Sequence, residues 1–201
     1  MRRLEGKVIA VAGGAGRIGS DLVARYASEG ASVFIGDINV EEARAVADQI
    51  KTQGGNAVAA KIDLASEDSV AAFVKACEEE FGGMDGFHAN AAYFDRSQDD
   101  VDIVDIEMDL FDAIMSVNAR GHALCARHAI PAMLRRGGGV MHPKLEAKAP
   151  HLKEWALKRV NVNHLGTGED IAATAAMLMS DEGRYITGQV LSIDGGSSMR
   201  Q

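Results

Sequence analysis

A buried strand that runs directly into a glycine-rich turn constrains this chain more than any other feature. Lys7–Gly13 (KVIAVAG) is a short run rich in β-branched residues, and residues 14–19 (GAGRIG) follow it at once. Apolar residues then recur one helical turn apart, so we expect a helix that begins near Gly16. Glycines let the backbone turn tightly and approach a pyrophosphate, whose charge the N-terminus of the next helix stabilises. A G-x-G-x-x-G turn between a strand and a helix predicts a dinucleotide-binding site.

The rest of the chain continues to alternate strands and helices. Regular alternation predicts right-handed βαβ units and a doubly wound parallel α/β sheet, the Rossmann fold, in a single domain over residues 1–201. We predict further strands at Ser32–Asp37, Ala57–Asp63, Gly86–Asn90, from Gly139 and at Gly188–Ile193. We predict helices at Glu41–Thr52, after an N-cap at Ser66, around Phe111–Arg135 and at Ile171–Met179, the last with a Thr167/Asp170 capping box.

Composition excludes several classes of protein. The chain has 21 basic and 29 acidic residues and a formal net charge of −8, which argues against a nucleic-acid binder. Since no apolar stretch approaches the ~20 residues that cross a bilayer, we expect no membrane partner. Cys77 and Cys125 form neither a disulfide framework nor a metal-binding motif. These features predict a cytoplasmic protein without a metal site.

A carboxylate stands where a dinucleotide site would need one. Asp37 ends the second predicted strand, 18 residues after Gly19. In that position it accepts hydrogen bonds from an adenosine ribose and repels a 2′-phosphate, which favours NAD over NADP. The alternative is an ordinary tight turn with Asp37 capping a loop.

Several motifs together resemble the short-chain dehydrogenase/reductase family. Residues 12–19 (AGGAGRIG) are similar to its T-G-x-x-x-G-x-G turn, with Ala12 and Arg17 in place of threonine and glycine. Residues 63–64 (DL) match its Asp-plus-aliphatic pair beside the adenine, and residues 89–92 (ANAA) resemble its N-N-A-G stretch. Residues 166–170 (GTGED) and 185–189 (YITGQ) resemble its C-terminal segments.

The resemblance implies an oxidoreductase that moves a hydride between a nicotinamide cofactor, NAD in preference to NADP, and a small alcohol or ketone. It also implies a homodimer or homotetramer. Asn118 matches a helix asparagine that supports the family's catalytic lysine through a water molecule. The cofactor-binding residues implied are Gly13, Gly16, Arg17, Ile18, Gly19, Asp37, Ile38, Asp63, Leu64, Asn90, Ala91 and Ala92.

Asn118 also stands out in the sequence itself. Phe111, Ile114 and Met115 predict a buried stripe on the long helix, and Asn118 continues that stripe. An amide left unpaired on an apolar stripe costs ~1–3 kcal/mol. We therefore expect Asn118 to face the cofactor cleft and to find a polar partner there.

The chain departs from the family at its catalytic segment. The family uses a serine after the fifth strand and a Y-x-x-x-K, whose tyrosine transfers a proton while the lysine lowers its pKa. The three tyrosines of this chain, Tyr26, Tyr93 and Tyr185, are followed four residues later by Gly30, Ser97 and Gln189. Asn118 is therefore the single catalytic residue that carries over.

A β-α-β passage of ~30 residues or more is thus missing near residues 140–144. Residues 142–166 resemble the family's substrate lid, although residues 159–163 (RVNVN) also have the alternation of a sixth strand. One interpretation is that the sequence omits a segment of a longer enzyme. The other is a catalytically inactive homologue that binds a dinucleotide or acts as a scaffold.

Overall fold

The structure is a computed structural model, and it describes residues 2–93, 101–102, 104–138, 140–143, 167–184, 186, 191 and 193. Its centre is a parallel sheet of five strands in the order β3-β2-β1-β4-β5. The strands are β1 (Val8–Ala12), β2 (Ser32–Asp37), β3 (Asn56–Lys61), β4 (Gly86–Ala89) and β5 (Val140–Pro143). The doubly wound α/β fold expected from the alternation is confirmed.

Helices lie between successive strands in the sequence, and a further helix comes after β5. They are α1 (Arg17–Ser28), α2 (Val40–Thr52), α3 (Glu67–Phe81), α4 (Met108–Met115), α5 (His122–Arg135) and α6 (Gly168–Met179). Between α4 and α5 lies a π-helical segment, Ser116–Gly121. In the described part of the chain, no helix is both long and apolar enough to span a bilayer.

Local capping signals place several helix starts as expected. The Ser66 hydroxyl accepts a hydrogen bond from the backbone N–H of Ser69 and caps α3. Thr167 and Asp170 form a reciprocal capping box at the start of α6. Each cap satisfies backbone donors that a helix N-terminus leaves without partners, so these starts are encoded within four residues of sequence.

The sheet separates two apolar cores. Because side chains alternate along a strand, Ile9 and Val11 of β1 pack into the core beneath α1, α2 and α6, whereas Val8 and Ala10 pack into the core beneath α3 and α5. The first core also holds Tyr26, whose hydroxyl lies 2.7 Å from Nδ1 of His88 on β4.

Two cysteines lie in the core beneath α3 and α5. Cys77 and Cys125 are both fully buried free thiols. Burial disfavours the charged thiolate and raises the pKa of each thiol to about 12. Both thiols are therefore protonated at neutral pH.

The prediction of a single long helix around Phe111–Arg135 is wrong in one respect. A π-helical turn interrupts it, because the backbone there pairs five residues apart. The expected buried stripe is also wrong at Met115, which is 44% exposed. Leu110 is the buried apolar residue of α4.

The predicted lid boundary shifts by two residues. His142 and Pro143 extend β5, paired with His88 and Ala89 of β4, instead of opening the lid at residue 142. Proline is tolerated there because β5 is the edge strand among the described residues. Residues 144–166, including the candidate sixth strand at 159–163, lie outside the described residues, as does the final strand predicted at Gly188–Ile193 apart from Leu191 and Ile193.

A buried carboxylate ties the N-terminus to the end of α1. Arg3 donates to both oxygens of Glu29 at 2.6 Å, and Arg25 Nε donates to Oε1 at the same distance. The Glu29 side chain is 6% exposed. The hydrogen bonds from Arg3 outweigh the effect of burial and lower the pKa of Glu29 to about 2.

We expect the substitution Glu29→Gln to lower the free energy of unfolding at pH 7 by about 2 kcal/mol, because it leaves two guanidinium groups without their carboxylate. A lowered carboxylate pKa stabilises the fold above pH 4.5 and loses that effect as the pH falls toward 2. The difference in free energy of unfolding between the wild type and Glu29→Gln should therefore become smaller as the pH falls across that range.

Urea unfolding of the wild type and Glu29→Gln at several pH values measures this difference in free energy. The control is Glu41→Gln, which removes a carboxylate 75% exposed and paired with Arg44, and it should change stability by less than ~1 kcal/mol. Equal stabilities of wild type and Glu29→Gln at pH 7 would contradict the role of this carboxylate.

Candidate functional site

A pocket of about 280 Å³ opens at the carboxyl ends of β1, β2 and β4, where the strand order reverses direction. This edge is where doubly wound sheets bind their ligands. The pocket is lined by Gly13, Gly16, Arg17, Ile18, Asp37, Ile38, Glu42, Ile62, Asp63, Leu64, Asn90, Ala91, Ala92, Tyr93 and Val117.

The turn after β1 approaches two other backbone segments so closely that side chains are excluded. Gly13 has φ +80°, and a Cβ there would lie 2.6 Å from the backbone nitrogen of Ala91. A Cβ on Gly19 would overlap the carbonyl oxygen of Gly13. Gly19 therefore lies behind the pocket and packs α1 onto the turn, while Gly13 and Gly16 line the pocket.

The first turn of α1 offers backbone donors to the pocket. Its N-cap is Gly16, which has no side chain to bind the free N–H groups, and no acidic residue lies in this turn. Arg17 is exposed at the same place and lines the pocket. A helix N-terminus with uncapped donors and a nearby guanidinium fits the charge of a phosphate group.

Asp37 is held at the rim by two backbone donors. Its Oδ2 accepts from Ala15 N–H and its Oδ1 from Asn39 N–H, both at 3.1 Å. These bonds fix the carboxylate between the glycine turn and the start of α2. With Glu42 and Asp63 it gives the pocket three lining carboxylates against the one guanidinium of Arg17.

Asn90 joins the turn to the opposite wall. Its backbone N–H donates to Ala12 O at 2.9 Å, and its Nδ2 donates to Gly13 O at 2.8 Å. Its Oδ1 is buried and has no hydrogen-bond partner among the described residues. An amide oxygen in that state, on a pocket wall, fits a ligand that brings a hydroxyl or N–H donor.

Asn118 reaches the wall that continues from Asn90. It lies in the π-helical segment, and its Oδ1 accepts from Tyr93 N–H at 2.7 Å. The partner is outside its own helix, and the side chain is half-buried. Asn118 does not itself line the pocket, although its neighbour Val117 does.

The structure thus brings together all the cofactor residues implied by the resemblance, with Gly19 in a supporting position. Sequence reasoning missed Ile62, Tyr93 and Val117, each of which is adjacent to a residue that was identified. It also missed Glu42, which lies in the first turn of α2 beside the pocket.

The two described tyrosines have different environments. Tyr26 is fully buried against His88, and burial raises the pKa of its hydroxyl, so it is a core residue. Tyr93 lines the pocket. In the described part of the chain, no cluster of His, Cys, Asp and Glu could hold a metal ion.

The fold and pocket together define a doubly wound α/β protein with a glycine turn whose geometry fits a phosphate group. Sequence comparison gives the family. The short chain dehydrogenase model matches residues 7–141, and the enoyl-(acyl carrier protein) reductase model of the same class matches residues 140–198. The chain belongs to the short-chain dehydrogenase/reductase family of oxidoreductases.

Individual relatives agree with this assignment. A probable short-chain type dehydrogenase/reductase of Bradyrhizobium diazoefficiens is 32% identical over 249 positions that include 98% of this chain and 89% of the relative. The 2,5-dichloro-2,5-cyclohexadiene-1,4-diol dehydrogenase of Sphingobium indicum is 36% identical over 137 positions, 68% of this chain and 52% of that enzyme.

A solved structure shows the same fold. It is a 7α-hydroxysteroid dehydrogenase in complex with NADH and 7-oxo glycochenodeoxycholic acid. It superposes with a TM-score of 0.85 over 96% of this chain and 95% of its own, at 23% identity.

The close approach at Gly13 gives a testable expectation for stability. Gly13 and Gly54 have φ +80° and +82°, but a Cβ on Gly54 meets nothing within 4 Å. The Gly54→Ala variant should lose about 1–2 kcal/mol from the left-handed conformation alone. The Gly13→Ala variant should lose a further 1–3 kcal/mol, because the Ala91 backbone must move. Denaturant unfolding of both variants measures the difference between their free energies of unfolding. Equal losses in the two variants would contradict the steric contact between a Cβ on Gly13 and the Ala91 backbone.

Proposed function

We propose that this protein is an NAD(H)-dependent oxidoreductase that moves a hydride between nicotinamide and a small alcohol or ketone. The observation that carries the proposal is the pocket itself, where a glycine turn too crowded for a Cβ lies beside an oriented carboxylate, Asp37, at the end of β2. We further propose a cytoplasmic homodimer or homotetramer, as the family resemblance implies.

The residues present fit a dinucleotide. Gly13, Gly16 and the first turn of α1 would receive the pyrophosphate, with Arg17 beside it. Asp37 would accept hydrogen bonds from the adenosine ribose, and Asp63 and Leu64 would border the adenine. The Oδ1 of Asn90, which has no hydrogen-bond partner in the part of the chain that the structure describes, would accept a hydrogen bond from the ligand. The cofactor supplies the hydride, and these side chains bind and orient it.

The alcohol or ketone substrate rests on two similar proteins. The Sphingobium relative is named as a diol dehydrogenase, and the hydroxysteroid dehydrogenase structure holds NADH with an oxo-steroid. Both names describe chemistry at a carbon that carries oxygen. That chemistry needs a proton donor near the substrate oxygen.

We propose that the proton donor belongs to a β-α-β segment that these 201 residues lack, near residues 140–144. The alignment with the Bradyrhizobium relative has 249 positions whereas the chain has 201 residues, so at least 48 positions hold no residue of this chain. The two family models also meet at residues 140–141. The first observation supports an internal omission, and the second supports a place for it near residues 140–144.

A second candidate is a catalytically inactive homologue that binds a dinucleotide or acts as a scaffold. It is favoured by the sequence itself, in which no tyrosine is followed four residues later by lysine. Both candidates require the same nucleotide pocket, so nucleotide binding alone does not distinguish them.

The ratio of the affinities for NADH and NADPH tests the proposed role of Asp37 in the pocket. NADH should bind at least tenfold more tightly than NADPH, because the Asp37 carboxylate repels a 2′-phosphate, and Asp37→Ala should narrow that ratio. Fluorescence titration with both nucleotides measures it. The control is Asp48→Ala, which removes the same charge from an exposed position paired with Lys51 and should leave the ratio unchanged. Equal affinities of the wild type for both nucleotides would refute the NAD assignment.

Intact mass and hydride transfer separate the two candidates. An omitted segment predicts a cellular protein heavier than 21.3 kDa that oxidises alcohols with NAD⁺. An inactive homologue predicts a mass of 21.3 kDa, NADH binding and no absorbance change at the nicotinamide band with any alcohol offered. The second result would overturn the enzyme proposal and leave the binding proposal intact.

A further inference from the structure

The first residue of α5 contacts the pocket wall. His122 Nε2 lies 2.8 Å from the carbonyl oxygen of Ala91, and the His122 side chain is half-buried. A carbonyl oxygen only accepts hydrogen bonds, so Nε2 carries the hydrogen and donates it. His122 belongs to none of the family motifs, and nothing in its spacing singles it out.

This bond is one of two from the same helical stretch to the same wall. Asn118, four residues earlier, accepts from the N–H of Tyr93 at 2.7 Å. Ala91, Ala92 and Tyr93 all line the pocket. The two side chains therefore hold the carbonyl at one end of this three-residue segment and the N–H at its other end.

The residue before His122 also packs closely against another part of the pocket lining. A Cβ on Gly121 would lie 2.8 Å from the carbonyl oxygen of Leu64, another lining residue. The π-helical segment that ends at Gly121 thus packs on Leu64, while the next residue, His122, contacts Ala91. A shift of the imidazole alone would release Ala91 without moving this backbone contact.

We propose that His122 is a positioning residue of the dinucleotide site, which fixes residues 91–93 through the Ala91 carbonyl before the ligand arrives. This inference rests on the proposed dinucleotide function. A wall that is already ordered does not have to be ordered by the ligand, and such pre-organisation lowers the dissociation constant.

The test is NADH titration of the full-length protein and four variants, with thermal unfolding of each. His122→Phe keeps a ring but removes the donor, and His122→Asn has a donor too short to reach Ala91. Both should weaken NADH binding about fivefold, the effect of one ordinary hydrogen bond. His122→Gln places an amide N–H near the position of Nε2 and should stay within about twofold of wild type.

His128→Phe is the matched control. His128 lies on the same helix and is half-buried, but its Nε2 contacts Glu67 Oε1 at 3.2 Å and it does not line the pocket. It should leave the NADH dissociation constant unchanged. Because Gln and Asn are both polar, their comparison stays informative even where His122→Phe does not fold.

Near-wild-type NADH affinity in His122→Gln with weakened affinity in His122→Asn supports the proposal. A purely structural role would not depend on whether the side-chain N–H is long enough to reach the Ala91 carbonyl. Wild-type affinity in His122→Asn would overturn it, and so would equal weakening in His122→Gln and His122→Asn. Absence of NADH binding in the wild type would instead refute the dinucleotide function itself.

Discussion

The crowding of three backbone segments at the end of β1 is the constraint on which the pocket depends. Gly13 lies against Ala91, Gly19 packs on the carbonyl of Gly13, and Asn90 binds that same carbonyl through Nδ2. No side chain larger than hydrogen fits at the two glycines. Consequently, the turn, the start of α1 and the wall after β4 form one unit, and displacement of any of them changes the other two.

The features predicted from the sequence are those that local chemistry encodes. Ser66 and Thr167 cap helices through contacts within three residues, and Asp37 follows from a strand that ends in a carboxylate. The family resemblance added Asn90 and Asn118, which no spacing rule connects to the glycine turn. Asp37 and Asn90 line the pocket, and Asn118 binds the backbone of Tyr93, which also lines it.

The features that the sequence did not predict depend on how distant elements meet. The π-helical turn at Ser116–Gly121 places Gly121 against Leu64, and no residue preference in the sequence predicts this turn. His122 contacts Ala91, 31 positions away in sequence, where the helix meets the segment after β4. Likewise, Met115 belongs to an apolar stripe by periodicity, yet it is 44% exposed in the folded chain.

The two buried thiols have a practical consequence for solution studies. The thiolate is the nucleophile that attacks an alkylating reagent, and at neutral pH a thiol with a pKa of about 12 supplies almost no thiolate. Cys77 and Cys125 are the two cysteines in these 201 residues and both are inaccessible. A cysteine introduced at Ile38, which is 67% exposed on the pocket rim, would therefore be the one site that a maleimide dye modifies rapidly. A dye at position 38 could therefore report ligand binding in these 201 residues without removal of Cys77 or Cys125.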